Sequence, residues 1–219
     1  MSAKHSNFQP GQILHGFRVV DVTPVPSLRG SARRFEHVSS GAQVLHLACD
    51  DRENALSINL PTPPPDDTGM PHILEHMALA GSRKFPVKEP FFEMGKMSMA
   101  TFINAMTGYD CTYYPVCSNV PRDLFNLADV YFDAVFHPLL AESTLLREAH
   151  HLAPADPAEP TGDLRIDGVV YSEMKGVFSD PESILGRLAV RSLLPDTCYG
   201  RESGGAPEAI PDLTYERLL

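Results

Sequence analysis

The sequence predicts an α+β fold, with a sheet built mainly from the first part of the chain and helices after it. Short β-rich runs at residues 17–22, 31–38, 43–48 and 54–60 are separated by Pro, Ser and Gly, which is the pattern of strands and turns. Residues 121–136 repeat apolar side chains at helical spacing and end before Pro138, which is typical of an amphipathic helix. Together these patterns predict a sheet with helices packed on it.

The run at residues 54–60 has the clearest alternation. Leu56, Ile58 and Leu60 face one way and the residues between them face the other, as in a half-buried strand. A further strand is predicted at residues 110–117, where Pro115 restricts it to an edge or irregular position. Such an edge could pair with an extended peptide.

Other helices are predicted from apolar periodicity and from their start and stop signals. They cover residues 71–80, 89–99, 142–151 and 168–176, with a polar, Pro-rich loop at 154–162. Three methionines in or after the second of these helices, Met94, Met97 and Met99, are expected to fill the core. Val170, Met174 and Val177 are expected to pack inward from the last one.

Composition bounds the class of protein. The chain has 219 residues, of which 43% are hydrophobic and 21% charged, so it can bury a core, and we expect one domain over residues 1–219. A formal net charge of −10 argues against general binding of nucleic acid or anionic membranes, and it is compatible with a cationic peptide substrate. No apolar run approaches membrane-spanning length.

The four cysteines indicate a reducing compartment. Cys49, Cys111, Cys117 and Cys198 form no Cys-x-x-Cys pair, and the chain begins without an apolar signal segment. We therefore expect a cytoplasmic location and buried, unpaired thiols. Cys111 and Cys117 would share one face of a strand, although their spacing is not that of a usual zinc site.

The stretch from Pro71 to His76 carries the strongest chemical signal. His72 and His76 are four residues apart and therefore share a helical face, with Glu75 beside them. Zinc binds neutral imidazole nitrogen, and a nearby carboxylate can take a proton from zinc-bound water. Thr68 is expected to cap this helix, and Pro71 suits its first turn. The alternative is a helix whose histidines are ordinary polar residues.

Glu173 lies next to the predicted buried stripe of the 168–176 helix. A carboxylate near a buried face is costly unless it is paired or bound to a metal. Spacing alone leaves two interpretations open: a salt bridge to Lys or Arg, or a metal ligand.

Several separated segments resemble the pitrilysin-like zinc peptidases, whose inverted His-x-x-Glu-His motif gives them the name inverzincins. The matching segments are residues 69–76, 81–90, 101–105 and 168–176, and Tyr199-Gly200 with Ser203-Gly204-Gly205. The resemblance covers about residues 13–219. It implies an α+β domain with a mostly antiparallel or mixed sheet backed by helices.

The resemblance also implies roles for particular residues. His72 and His76 correspond to the zinc-binding histidines, Glu75 to the general base and Glu173 to the distal zinc ligand. Asn104 and Ala105 fall where members of this family approach substrate, which makes them candidate substrate-binding residues.

Two departures from the family pattern are expected to matter. Related enzymes are much longer, and a second half supplies substrate-binding residues, so we expect this chain to be an N-terminal, truncated domain that needs its missing C-terminal half and is weakly active alone. Some branches carry an extra acidic residue shortly before the distal ligand. Asp167 is nearby, but the pattern does not assign it that role.

The sequence therefore predicts a zinc endopeptidase domain that hydrolyses short, unfolded peptides. One alternative is a non-catalytic structural subunit of the same fold, which would have no need of the base. Another is a small-molecule metalloenzyme with the same inverted motif, such as an S-ribosylhomocysteine lyase, which would lack the other matching segments.

Overall fold

The computed structural model describes residues 8–219, and internal contacts divide the chain into two compact units that meet at Arg52 and Glu53. Each unit is described by itself below. The expectation of one peptidase domain over residues 1–219 stays a prediction.

The first unit contains a four-stranded antiparallel meander. Its strands are β1 (Ile13–Leu14), β2 (Phe17–Val25), β3 (Gly30–His37) and β4 (Gln43–Ala48), and they pair in chain order. A short 3₁₀ helix, Pro26–Leu28, turns β2 into β3. Pro26 suits that turn because its ring fixes φ and the position needs no amide donor. The three strands predicted here are confirmed.

The second unit is built on another antiparallel sheet. It contains β5 (Asn54–Pro61), β6 (Ala100–Ile103), β7 (Met106–Thr107) and β8 (Cys111–Ser118), in the order β5-β8-β6 with β7 also paired to β8. Ile58 is buried while Ser57 and Asn59 are exposed, so the alternation predicted for β5 is confirmed.

Pro115 was predicted to restrict β8 to an edge or irregular position. The edge is wrong, because β8 lies between β5 and the β6–β7 pair, but the pairing opposite Pro115 is irregular. The carbonyl of Pro115 accepts a hydrogen bond from Asn104 N at 3.2 Å. The N–H that proline lacks would point to the same side, and there the partner strand is interrupted between Ile103 and Met106. The missing donor therefore faces a break in the ladder.

Seven α-helices and a hairpin complete the part of the chain that the structure describes. The helices are α1 (Met70–Ala78), α2 (Pro90–Met97), α3 (Pro121–Phe136), α4 (Glu142–Glu148), α5 (Val169–Val177), α6 (Pro181–Leu193) and α7 (Tyr215–Leu218). The hairpin pairs β9 (His151–Pro154) with β10 (Leu164–Asp167), and 3₁₀ turns lie at Cys198–Gly200 and Ile210–Asp212. Among these described helices, none combines the length and apolarity needed to cross a membrane.

Two hydrophobic clusters hold the second unit together, and α1 contributes to both. Ala78 joins the cluster between the sheet and α3, which includes Val116 and Tyr131. Ile73 and Met77 join a cluster with α4, α5 and the last residues of the chain. Burial of α1 on two sides leaves little freedom for its polar face. The α+β prediction, with a sheet backed by helices, is confirmed.

Some local predictions need correction. The helix predicted at 142–151 ends at Glu148, because His151 already pairs with Asp167 in the hairpin. Met97 and Met99 are 80% and 64% exposed, so of the three methionines only Met94 packs against the core.

The thiols are also less buried than predicted. Cys111 and Cys117 do share a face of β8, but they occupy its half-exposed side, and Cys49 is exposed. The fully buried positions of that strand are the alternate residues, such as Val116.

The residue at the N-cap of α1 is Gly69, and not Thr68 as predicted. Gly69 has a left-handed backbone, with φ of 72°, and the side chain of Thr68 makes no capping bond. A Cβ at residue 69 would lie 2.6 Å from Gly205 Cα and 2.7 Å from the carbonyl oxygen of Gly204. Only glycine allows both this conformation and this close approach between two backbones.

Substitution Gly69→Ala is expected to lower the free energy of unfolding by about 2 kcal/mol or more, because it adds left-handed strain to a backbone clash. The matched control is Gly186→Ala in α6, where a Cβ meets nothing within 4 Å. The free energy of unfolding of that variant should rise by about 0.5–1 kcal/mol. Denaturant titration of both variants checks this, and equal stabilities would contradict the close approach.

Candidate metal centre

α1 and α5 bring together the three side chains predicted as ligands. Nε2 of His72 lies 3.6 Å from Glu173 Oε2, and Nε2 of His76 lies 3.8 Å from the same oxygen. The two imidazole rings stand nearly perpendicular, with centroids 4.9 Å apart. Within the described residues these are the side chains grouped closely enough to hold a metal ion, with ligand atoms within 4.8 Å of one another.

Both histidines are oriented by bonds to their other ring nitrogen. Nδ1 of His72 lies 3.0 Å from the carbonyl oxygen of Gly204, and Nδ1 of His76 lies 3.2 Å from Glu148 Oε2. Because both partners are acceptors, each Nδ1 carries the hydrogen and donates it. The lone pairs of both Nε2 atoms therefore remain free on the side of Glu173, which is the tautomer that a metal requires.

The dimensions fit a tetrahedral metal. Ligands at the usual zinc distances are separated from one another by about 3.4 Å, close to the observed distances between each imidazole and Glu173. Two imidazoles and one carboxylate leave a fourth position open, as catalytic zinc sites do. The donor set is therefore suited to a catalytic zinc ion.

Glu75 lies on the same helix and is almost fully buried. Its Oε2 accepts a hydrogen bond of 2.7 Å from the hydroxyl of Thr107 on β7. Burial raises the pKa of the neighbouring Tyr114, and the charge of Glu75 adds to that effect. Glu75 is thus a restrained carboxylate that lines the same cleft as the two histidines.

His76 and Glu148 form a partly buried pair. Burial is the largest influence on His76 and opposes its protonation, but the bond to Glu148 and nearby carboxylate charges outweigh it and raise the pKa of His76 above 6.5. Burial likewise opposes ionisation of Glu148, but bonds from His76 and Arg147 prevail and lower its pKa below 4.5. Arg147 Nε lies 2.8 Å from Glu148 Oε1.

Glu148 was not predicted from the sequence as part of this site. Asp167, the acidic residue noted from the sequence, instead pairs with Arg165 and accepts from Gly168 N. Glu148 lies 72 positions after His76 in the chain, so no local spacing links them. The local signal was an Arg-Glu pair at the end of a predicted helix, whose glutamate is buried in the structure.

A cleft of about 420 Å³ opens in front of the three ligands. Its walls come from α1, α5, α6, β7 and the segment that contains Gly204. Ala105 lines the cleft. Asn104 does not line the cleft. Its carbonyl oxygen accepts a hydrogen bond from Tyr131 Oη at 3.0 Å. Substrate binding by either residue stays a prediction.

Comparison with known proteins identifies relatives of this architecture. The family model described as Insulinase (Peptidase family M16) matches residues 62–154, which include the two histidines, Glu75 and Glu148. The crystal structure of pitrilysin aligns with 92% of this chain and 20% of its own, with a TM-score of 0.61 and 19% sequence identity. That similarity shows a common fold.

Sequence relatives agree. The mitochondrial presequence protease of Xenopus laevis is 44% identical over 211 residues, or 96% of this chain and 20% of that protein. The mitochondrial presequence protease of Danio rerio is 46% identical over 215 residues, or 98% of this chain and 21% of that protein. The chain is a pitrilysin-like member of peptidase family M16. It spans about a fifth of the length of these M16 relatives.

The pair formed by His76 and Glu148 predicts a pH dependence for the metal-free M16 chain. The lowered pKa of Glu148 gives a stabilising contribution above pH 4.5 that is lost as the pH falls. The raised pKa of His76 gives a stabilising contribution below pH 6.5, and this contribution is lost as the pH rises through the pKa of His76 in the folded chain. Both contributions are present between these values.

Glu148→Ala should therefore destabilise the metal-free chain more at about pH 5.5 than at about pH 9. Denaturant titration with a chelator present measures this. The matched control is Glu142→Ala, which removes an exposed carboxylate from the first turn of the same helix. A loss for Glu148→Ala that is equal at both pH values would contradict the pairing.

Proposed function

We propose that this chain forms the metal-binding part of a zinc metalloendopeptidase that hydrolyses short, unfolded peptides. The observation that carries the proposal is the arrangement of His72, His76 and Glu173 around one point, with the buried carboxylate of Glu75 lining the same cleft. Each of the four has the chemistry that metal-assisted hydrolysis of an amide requires.

The role of zinc, when bound, would be to lower the pKa of a water molecule and to polarise the scissile carbonyl. Glu75 would accept a proton from the attacking water and pass it to the leaving amine. The hydroxyl of Thr107 holds one oxygen of Glu75 in place, so the other oxygen is available to the water. The hydrogen bonds at each Nδ1 of His72 and His76 would leave both Nε2 lone pairs available to a metal.

The nature of the substrate follows from the surroundings. Relatives named presequence protease support a peptide substrate. The short strand β7 and the preceding Ala105 line the cleft, so we propose that an extended peptide binds along this wall. The formal charge of −10 favours peptides with basic residues.

The isolated chain is proposed to be a weak catalyst. Efficient hydrolysis needs donors that stabilise the oxyanion, and losing one typically costs about a hundredfold or more. Arg187 lines the cleft but is paired with Glu202, so it is not free for that task. Because the presequence protease relatives are about five times longer, we propose that another part of a longer protein supplies these donors.

Glu173→Ala is expected to abolish stoichiometric zinc binding, since two imidazoles alone hold zinc poorly. Elemental analysis after dialysis against metal-free buffer measures zinc per chain. Glu182→Ala, which removes an exposed carboxylate from α6, serves as the control and should retain one zinc. Full zinc content in the Glu173 variant would rule out this residue as the third ligand.

Glu75→Gln is expected to keep zinc but to lower kcat by about a hundredfold or more in the full-length protein, because an amide cannot accept the proton of water. Cleavage of a quenched fluorescent peptide measures the rate, and Glu142→Gln is the control. A rate within a few-fold of the parent would exclude Glu75 as the base and would favour the alternative of a chain without catalytic function of its own.

A further inference from the structure

The segment formed by residues 202–206 ties the start of α1 to the neighbouring helices. Asp67, which precedes α1, accepts from Glu202 N through Oδ1 at 2.8 Å, and its carbonyl accepts from Ala206 N at 2.8 Å. Both ends of the segment are therefore anchored to one residue. Between these anchors lies Gly204, whose carbonyl accepts from Nδ1 of His72.

Gly204 is packed closely on both sides. A Cβ at this position would lie 2.9 Å from Met174 Sδ on α5, and a Cβ at residue 69 would lie 2.7 Å from its carbonyl oxygen. The carbonyl that orients His72 is thus held between the two helices that carry the proposed ligands. It cannot move far without shifting one of them.

Packing alone does not fix the backbone here, because two successive glycines, Gly204 and Gly205, have wide conformational freedom. The side chain of Glu202 provides a further restraint, since its Oε1 accepts from Gly204 N at 3.2 Å. Its other oxygen pairs with Arg187 on α6, and the guanidinium of Arg187 lies 5.0 Å from the centre of the Phe178 ring. The Glu202 side chain is only 13% exposed.

We propose that Glu202, held by Arg187, is a positioning residue for the metal site: it fixes the Gly204 peptide and thereby the imidazole of His72. This inference rests on the proposed function, because it concerns how well the ligand set is prepared for zinc. Residues that orient a ligand from outside the coordination sphere typically change metal affinity by about 10–100-fold when removed.

The test compares zinc dissociation constants by competition with a chromophoric chelator. Glu202→Ala should weaken zinc binding by about tenfold or more. Glu208→Ala removes an exposed carboxylate from the same part of the chain and should match the parent. Glu202→Gln keeps an oxygen that can accept from Gly204 N, so its affinity should lie nearer to the parent than to the alanine variant.

A second readout separates positioning from general stability. The visible spectrum of the cobalt-substituted chain reports ligand geometry, and it should change in Glu202→Ala but not in Glu208→Ala. Unfolding of the metal-free variants gives their stabilities. If Glu202→Ala does not fold, Arg187→Met takes its place, because it removes the partner that holds the Glu202 side chain. This variant should also weaken zinc binding while the metal-free chain stays folded.

The outcomes distinguish the two proposals. A parent chain that binds no zinc contradicts the proposed function and this inference with it. A parent that binds zinc, with unchanged affinity and an unchanged cobalt spectrum in Glu202→Ala or in its replacement, overturns the positioning role alone. Equal losses in the alanine and glutamine variants also overturn it, because the charge of Glu202, and not its bond to Gly204, would then be responsible.

Discussion

The convergence of carboxylates on two imidazoles is the constraint on which the rest of the second unit depends. Burial lowers the pKa of His76, but the hydrogen bond to Glu148 and the charges of Glu75, Glu148 and Glu173 outweigh burial and raise it. Without a cation the three carboxylates repel one another, so other groups must hold them in position. Thr107 holds Glu75 and Arg147 holds Glu148. Glu173 is half exposed and is the carboxylate that we propose as a metal ligand.

The cores explain how such a site stays in place. α1 contributes to both hydrophobic clusters of the unit, so its polar face is fixed by burial on either side. α5 packs Val170 and Met174 into one of these clusters. This packing fixes the position of Glu173 relative to the two histidines. Apolar packing therefore determines the distance between ligands that come from two helices. Hydrogen bonds to each Nδ1 determine only their orientation.

The features predicted from the sequence are those that depend on local periodicity. The strand at 54–60, the helix at 121–136 and the face shared by His72 and His76 follow from spacings of two, three and four residues. Glu148 and Gly204 could not be found in this way, because they meet the histidines only after folding. Whether Met97 faces the core depends on where α2 ends, and a helical pattern alone does not give that.

The irregular pairing opposite Pro115 also shapes the cleft. A proline in a central strand removes a donor, and the sheet tolerates it here because the partner strand is interrupted opposite it. The interruption separates β6 from β7 and lets Ala105 and Thr107 line the cleft. Thr107 then reaches Glu75. The break that accommodates Pro115 is therefore also what brings a strand wall and the candidate base to the same side of the site.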